Sequence, residues 1–100
     1  MTETLEVTTF RLVGSHTAED FVAANDDVNT YLKRQLGFCW RRITQHDDGT
    51  IIDILAWETM ANAEAGANGI VTEMRGSPVH AMIDHGTVDW RLVPVLQHVT

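Results

Sequence analysis

The run Ile51-Ile52-Asp53-Ile54-Leu55-Ala56-Trp57 reads as a β-strand that is largely apolar on both faces. Successive strand residues point to opposite sides of a sheet, so Ile52, Ile54 and Ala56 share one side while Ile51, Leu55 and Trp57 share the other. A chain of 100 residues with two helical segments covers one side of its sheet. The second apolar side then needs another subunit, and a homodimer is expected.

The rest of the chain supplies the elements around that strand. Leu5 to Val13 alternate as a first strand, with Leu5, Val7, Thr9 and Arg11 opposite Glu6, Thr8, Phe10 and Leu12, and Gly14 ends it. Thr17 followed by Asp20 is a near match to a capping box. Phe21, Ala24, Val28, Leu32 and Leu36 then recur at helical spacing up to Gly37. Phe38 to His46 reads as a second strand, and Asp47-Asp48-Gly49 as the hairpin turn into the third. Thr59 is positioned to cap a second helix whose buried stripe is Met60, Ala63, Ala67, Ile70 or Val71, and Met74, weakened by Gly66 and Gly69. Ser77-Pro78 opens a short further helix to about Asp84, and Val88, Trp90 and Leu92 make a last strand. Pro94 removes a ladder donor, which suits an edge position or a bulge in that strand.

The order β-α-β-β-α-β is that of a ferredoxin-like α+β sandwich: a four-stranded antiparallel sheet with helices on one face, a single domain over residues 1–100. Two such sheets packed face to face form a dimeric α/β barrel. A chain this size buries roughly two-thirds of the surface it exposes when unfolded, so it needs no covalent staples.

Several function classes fall away on composition. The formal net charge of −7, from 14 acidic and 7 basic residues, opposes binding to nucleic acid or to an anionic membrane surface. The first fourteen residues carry neither a basic start nor an unbroken apolar run, so no secretory signal is expected. No window approaches the roughly 18 apolar residues of a transmembrane helix, and a cytoplasmic protein is the expectation. One cysteine, Cys39, cannot build an iron–sulfur cluster, a zinc site or an intramolecular disulfide. His80 and His85 are five apart, off the spacing that puts two imidazoles on one helical face. No metal and no cofactor is therefore expected.

Three residues stand out as candidate ligand contacts. Asn25 falls within about 40° of Phe21, Val28 and Leu32 on a helical wheel, which places an amide inside the apolar stripe. A buried amide without partners costs roughly 1–3 kcal/mol, so Asn25 either bonds to neighbouring protein groups or faces a cavity that a ligand or water fills. Asn29 lies at the margin of the same stripe, and Trp57 ends its strand at the open end of the sandwich, where a ring can wall a pocket. Trp40 and Trp90 read as core or interface aromatics.

Arg41 and Asp53 depend on the hairpin register. A three-residue loop with a bulge at Gly49 pairs His46 with Thr50 and Arg41 with Leu55, making Asp53 a diagonal neighbour of Arg41 on the same face. A two-residue Asp48-Gly49 turn instead groups Trp40, Arg42, Asp53 and Trp57. The bulged loop is preferred. Arg41, Asp53 and Leu55 are then expected on the partner-covered face, with the ion pair as a specificity lock for the dimer.

The residues Phe21-Val22-Ala23-Ala24-Asn25, Tyr31-Leu32, Gln35, Gly37-Phe38, Arg41, Asp48-Gly49, Asp53, Trp57-Glu58 and Ile83-Asp84 together resemble bacterial proteins of the antibiotic-biosynthesis-monooxygenase-like, dimeric α/β-barrel superfamily. The resemblance covers nearly the whole chain and implies the same fold and a dimer. It leaves activity open, because that superfamily contains cofactor-free oxygenases, haem-degrading oxygenases, isomerases and proteins of no known reaction. Haem-degrading members carry a Trp at the position of Trp57 and a His in the following helix where this chain has Ala67, so the haem ligand is missing. Three readings follow. The first is a homodimer binding a small apolar or aromatic molecule between helices and sheet, the second a cofactor-free monooxygenase or isomerase acting on such a molecule, and the third a structural dimer with no ligand site.

Overall fold

The computed structural model describes residues 3–100. The chain runs β1 (Thr4–Leu12), α1 (Ala18–Ala23), α2 (Asp26–Lys33), β2 (Phe38–Gln45), β3 (Ile51–Trp57), α3 (Met60–Val71), α4 (Val79–Met82) and β4 (Ile83–Pro94). The strands form one sheet in the order β2-β3-β1-β4, with every neighbouring pair antiparallel. This is the expected ferredoxin-like arrangement, and it puts β4, with Pro94, on an edge.

The hairpin takes the bulged form. Gly49 has φ +93°, a conformation that costs glycine little. The His46 amide donates to the Thr50 carbonyl at 2.8 Å, and Arg41 pairs with Leu55. Arg41, Ile43, Asp53, Leu55 and Trp57 therefore share one face of the sheet with Glu6, Thr8 and Phe10.

The helices cover that face. Phe21, Val28, Tyr31 and Leu32 from α1 and α2 pack with Phe10, Ile51, Leu55 and Trp57 in the core, joined by Ala63, Val79 and Met82. Phe10 and Phe21 meet edge to face at 5.2 Å, as do Phe38 and Trp57 at 5.5 Å. The close approach of α3 explains Gly66: any side chain there would collide with the Trp57 ring, so the glycine that weakens the helix also lets it dock. The Tyr31 hydroxyl fastens the same spot by donating to the Gly66 carbonyl at 2.8 Å.

The expectation that Arg41, Asp53 and Leu55 occupy the partner-covered face is corrected here: all three face the helices. Alternation assigns residues to faces but cannot tell which of two apolar faces the helices choose. The opposite, helix-free face carries Leu5, Val7, Ile52, Ile54 and Trp40, all half-buried in the single chain, with the Arg42 guanidinium 4.8 Å over the Trp40 ring.

Three further differences concern element limits. The first helix is two helices broken at Ala24–Asn25, and Leu36, expected in its stripe, is 82 % exposed because α2 stops at Lys33. The second ends at Val71, leaving Ile70 rather than Val71 against the core. The last strand begins at Ile83, five residues earlier than the apolar alternation suggests, and its pairing with β1 shifts between Thr9 and Arg11. The Arg11 amide donates to Thr87 Oγ1 at 2.9 Å across this irregularity, which sets His85 and Val88 beside the helices. Among the described residues, no helix is long and apolar enough to cross a membrane.

Candidate functional site

The break in the first helical segment is built by Asn25. In a continuous helix the Phe21 carbonyl would accept the Asn25 backbone N–H, four residues on. Here that N–H donates to Val22 at 3.1 Å, and the Asn25 side-chain Nδ2 donates to Phe21 at 2.7 Å in its place. This is the local competition between amide side chains and backbone that disfavours Asn in helix interiors. The helix resumes at once, with the Asn29 amide donating to the Asn25 carbonyl at 2.8 Å.

The same side chain points its oxygen into the sheet. Arg41 Nη1 donates to Asn25 Oδ1 at 2.8 Å and to Asn29 Oδ1 at 2.9 Å. On its other side the guanidinium grips Asp53 in a fork, Nε to Oδ1 at 3.0 Å and Nη2 to Oδ2 at 2.6 Å. Both side chains of the ion pair are about nine-tenths buried. A buried pair is sustained only with good geometry and extra hydrogen bonds, and the bidentate fork and two amides supply them. Among the described residues, no buried side-chain polar atom lacks a partner.

Beside this network lies a half-open cleft of about 500 Å³ between α3, α4 and the β1–β4 side of the sheet. Its walls are mainly apolar, from Phe10, Phe21, Val28, Leu55, Ile70 and Val88. Asn25, Arg41, Asp53 and Glu6 supply polar groups at its buried side, while His80 and His85 add imidazoles from α4 and β4. The two rings stack 6.5 Å apart, and each ring Nε2 is engaged with a backbone carbonyl, His80 with Met74 and His85 with His80.

Glu6 is the residue that sequence reasoning passed over. One carboxylate in an alternating strand looks solvent-facing, yet Glu6 is 7 % exposed. Its Oε1 accepts the Trp57 indole N–H at 3.0 Å and its Oε2 the Trp90 indole N–H at 2.8 Å. Burial pushes its pKa above the ordinary carboxylate value, the two indole bonds pull it back, the nearby charge of Asp53 raises it and that of Arg41 lowers it. Its place on the face of Phe10 and Leu12 was the available signal.

Of the expected ligand contacts, Asn25 lines the cleft. Asn29 does not: it opens on a neighbouring hollow beside β2, on the far side of Arg41. Trp57 does not wall the cleft either, because it is completely buried under α3 and reaches the site only through its bond to Glu6. Trp90, read as core or interface, is 48 % exposed and forms part of the cleft wall. Cys39 sits exposed in the β2 irregularity, where desolvation and the charges of Glu58 and Glu3 push its thiol pKa up, the wrong direction for a nucleophile.

Because protein groups engage both the oxygen and the nitrogen of the Asn25 side chain, Asn25→Leu is expected to lower stability by about 1–3 kcal/mol, leaving the Phe21 carbonyl and an Arg41 N–H unpaired. Paired thermal melts of the ligand-free proteins check this; an unchanged or raised melting temperature would contradict it.

No family model and no curated protein matches the chain. Solved structures do. SnoaB, a cofactor-independent oxygenase from Streptomyces nogalater, superposes with a TM-score of 0.76 at 16% identity, over 99% of this chain and 98% of its own. A monooxygenase from the gene ActVA-Orf6 of Streptomyces coelicolor, solved with the ligand Nanaomycin D, gives 0.75 at 18% identity over 99% and 92%. A dimeric ferredoxin-like protein from an uncultured marine organism gives 0.73 at 11% identity over 100% and 93%. The chain therefore has the fold of these two oxygenases and of this dimeric ferredoxin-like protein.

Proposed function

We propose that the protein is a homodimer that binds a small, flat, apolar or aromatic molecule in the cleft between its helices and sheet. The observation that carries this reading is the cleft itself: about 500 Å³, mainly apolar, with a few buried polar groups on one side. Ligand sites have this size and this balance of apolar wall and sparse polar contacts. A structural dimer with a filled core would have no use for such a space. The fold shared with an oxygenase solved in complex with Nanaomycin D supports the same reading.

The dimer is supported by the helix-free face, where Leu5, Val7, Ile52, Ile54 and Trp40 form a contiguous half-buried patch, and by a neighbour described as dimeric. A second reading, a cofactor-free oxygenase or isomerase, is favoured by Glu6, a carboxylate of raised pKa inside the cleft, which suits proton abstraction.

Ala67 tests the ligand site with little disturbance, since it lines the cleft from the surface helix α3. Ala67→Phe fills the space and is expected to weaken 2-naphthol binding, measured by titration calorimetry, at least about tenfold, with an unchanged melt. Equal binding by both proteins would place the ligand elsewhere.

A further inference from the structure

Glu6 is a buried acid without a cation of its own. The hydrogen bonds of Arg41 go to Asp53, Asn25 and Asn29, and among the described residues no ion pair reaches Glu6. What holds the carboxylate is two neutral indole donors, one on each oxygen. Each carboxylate oxygen has two acceptor positions, so each retains one, on a side chain that lines an apolar cleft.

We propose that Glu6 is the proton acceptor of this cleft, acting on a small apolar ketone with an acidic C–H next to its carbonyl. The inference deepens the reading of the cleft as a ligand site and rests on it. The C–H bond breaks, its proton passes to a Glu6 oxygen, and its electron pair becomes the C=C bond of an enolate whose charge rests on the ketone oxygen. Return of the proton to the same carbon, or to the far end of a conjugated system, regenerates the carboxylate and completes an exchange or an isomerisation. No electron is lost and no co-reactant is consumed. A desolvated carboxylate lining the cleft suits this task because its raised pKa makes it a stronger base than one in water. Trp57 and Trp90 are positioning residues that fix the carboxylate.

The test uses 2-tetralone in deuterated buffer, with binding followed by ligand-observed NMR and exchange by loss of the α-proton signal. The wild-type protein is expected to bind 2-tetralone and to speed deuterium uptake by about 10²-fold or more over buffer. Glu6→Gln is expected to keep binding and lose the acceleration. The rate is expected to rise with pH through the Glu6 pKa, in a setting that includes Asp53 on β3, Arg41 on β2, Glu64 on α3, His80 on α4 and His85 on β4. Trp90→Phe removes one bond that lowers this pKa, so the inflection is expected at higher pH, a displacement that a merely structural role would not produce. This variant also keeps the test decisive if Glu6→Gln fails to fold. Binding without accelerated exchange, or an inflection unmoved in Trp90→Phe, would overturn Glu6 as the acceptor while leaving the ligand site intact. Absence of binding would remove both.

Discussion

Arg41→Ala is expected to destabilise the fold by about 3–5 kcal/mol, a large part of the roughly 5–15 kcal/mol that holds a domain together. The guanidinium ties β2 to β3 through Asp53 and ties both to α1 and α2 through Asn25 and Asn29. Removing it strands the Asp53 carboxylate, whose side chain is only 9 % exposed, with neither solvent nor a counterion. That uncompensated charge, more than the lost attraction, is the cost. Two consequences can be separated by urea unfolding at neutral pH. The single variant should lose several kcal/mol, and Arg41→Ala with Asp53→Ala should recover much of it, because the stranded charge is gone. A loss below about 1 kcal/mol for the single variant would match a solvent-screened surface pair and contradict the buried network.

Ile54→Lys is expected to convert the proposed dimer into folded monomers. Ile54 pairs with Val7 on one side and Arg42 on the other, at the middle of the helix-free face. A lysine there stays solvated in the single chain but would be buried without a partner under a second sheet, which is heavily disfavoured. Leu55→Lys behaves differently: Leu55 is 6 % exposed beneath the helices, so the charge enters the core of its own chain and unfolds it. Light scattering with circular dichroism distinguishes the two. The wild type should show twice the chain mass of 11.2 kDa, and Ile54→Lys the chain mass with native ellipticity. A wild type at 11.2 kDa, or an Ile54→Lys dimer, would remove the helix-free face as the interface.

Much of this architecture was legible because local chemistry determines it. Thr17 and Asp20 form the expected capping box, with the Thr17 side chain accepting from the Asp20 amide and the Asp20 carboxylate from the Thr17 amide. Gly49 permits the bulged turn, and that register alone brings Arg41 and Asp53 onto one face. Asn25 was visible as an amide out of pattern. What could not be read was which face of β3 the helices cover, since Ile52 and Ile54 are as apolar as Ile51 and Leu55. The partner-side placement of Arg41, Asp53 and Leu55 followed from that ambiguity. Glu6 escaped notice for a different reason: its indole partners lie 51 and 84 residues away, and periodicity carries no information about side chains that meet only in the folded sheet. The helix break at Asn25 also depends on contacts across the fold, because Arg41 occupies the amide oxygen while Nδ2 takes the Phe21 carbonyl.

The three tryptophans give the most direct test of the cleft, since each indole N–H yields its own NMR signal. Trp57 and Trp90 both donate to Glu6, whereas Trp40 lies on the opposite side of the sheet beneath Arg42. On titration of 2-naphthol into the ¹⁵N-labelled protein, the Trp90 and Trp57 indole signals and the Asn25 side-chain amide are expected to move together with one dissociation constant, while the Trp40 signal stays in place. Movement of Trp40 alone, or no movement of any of them at saturating 2-naphthol, would contradict a ligand site between the helices and the sheet.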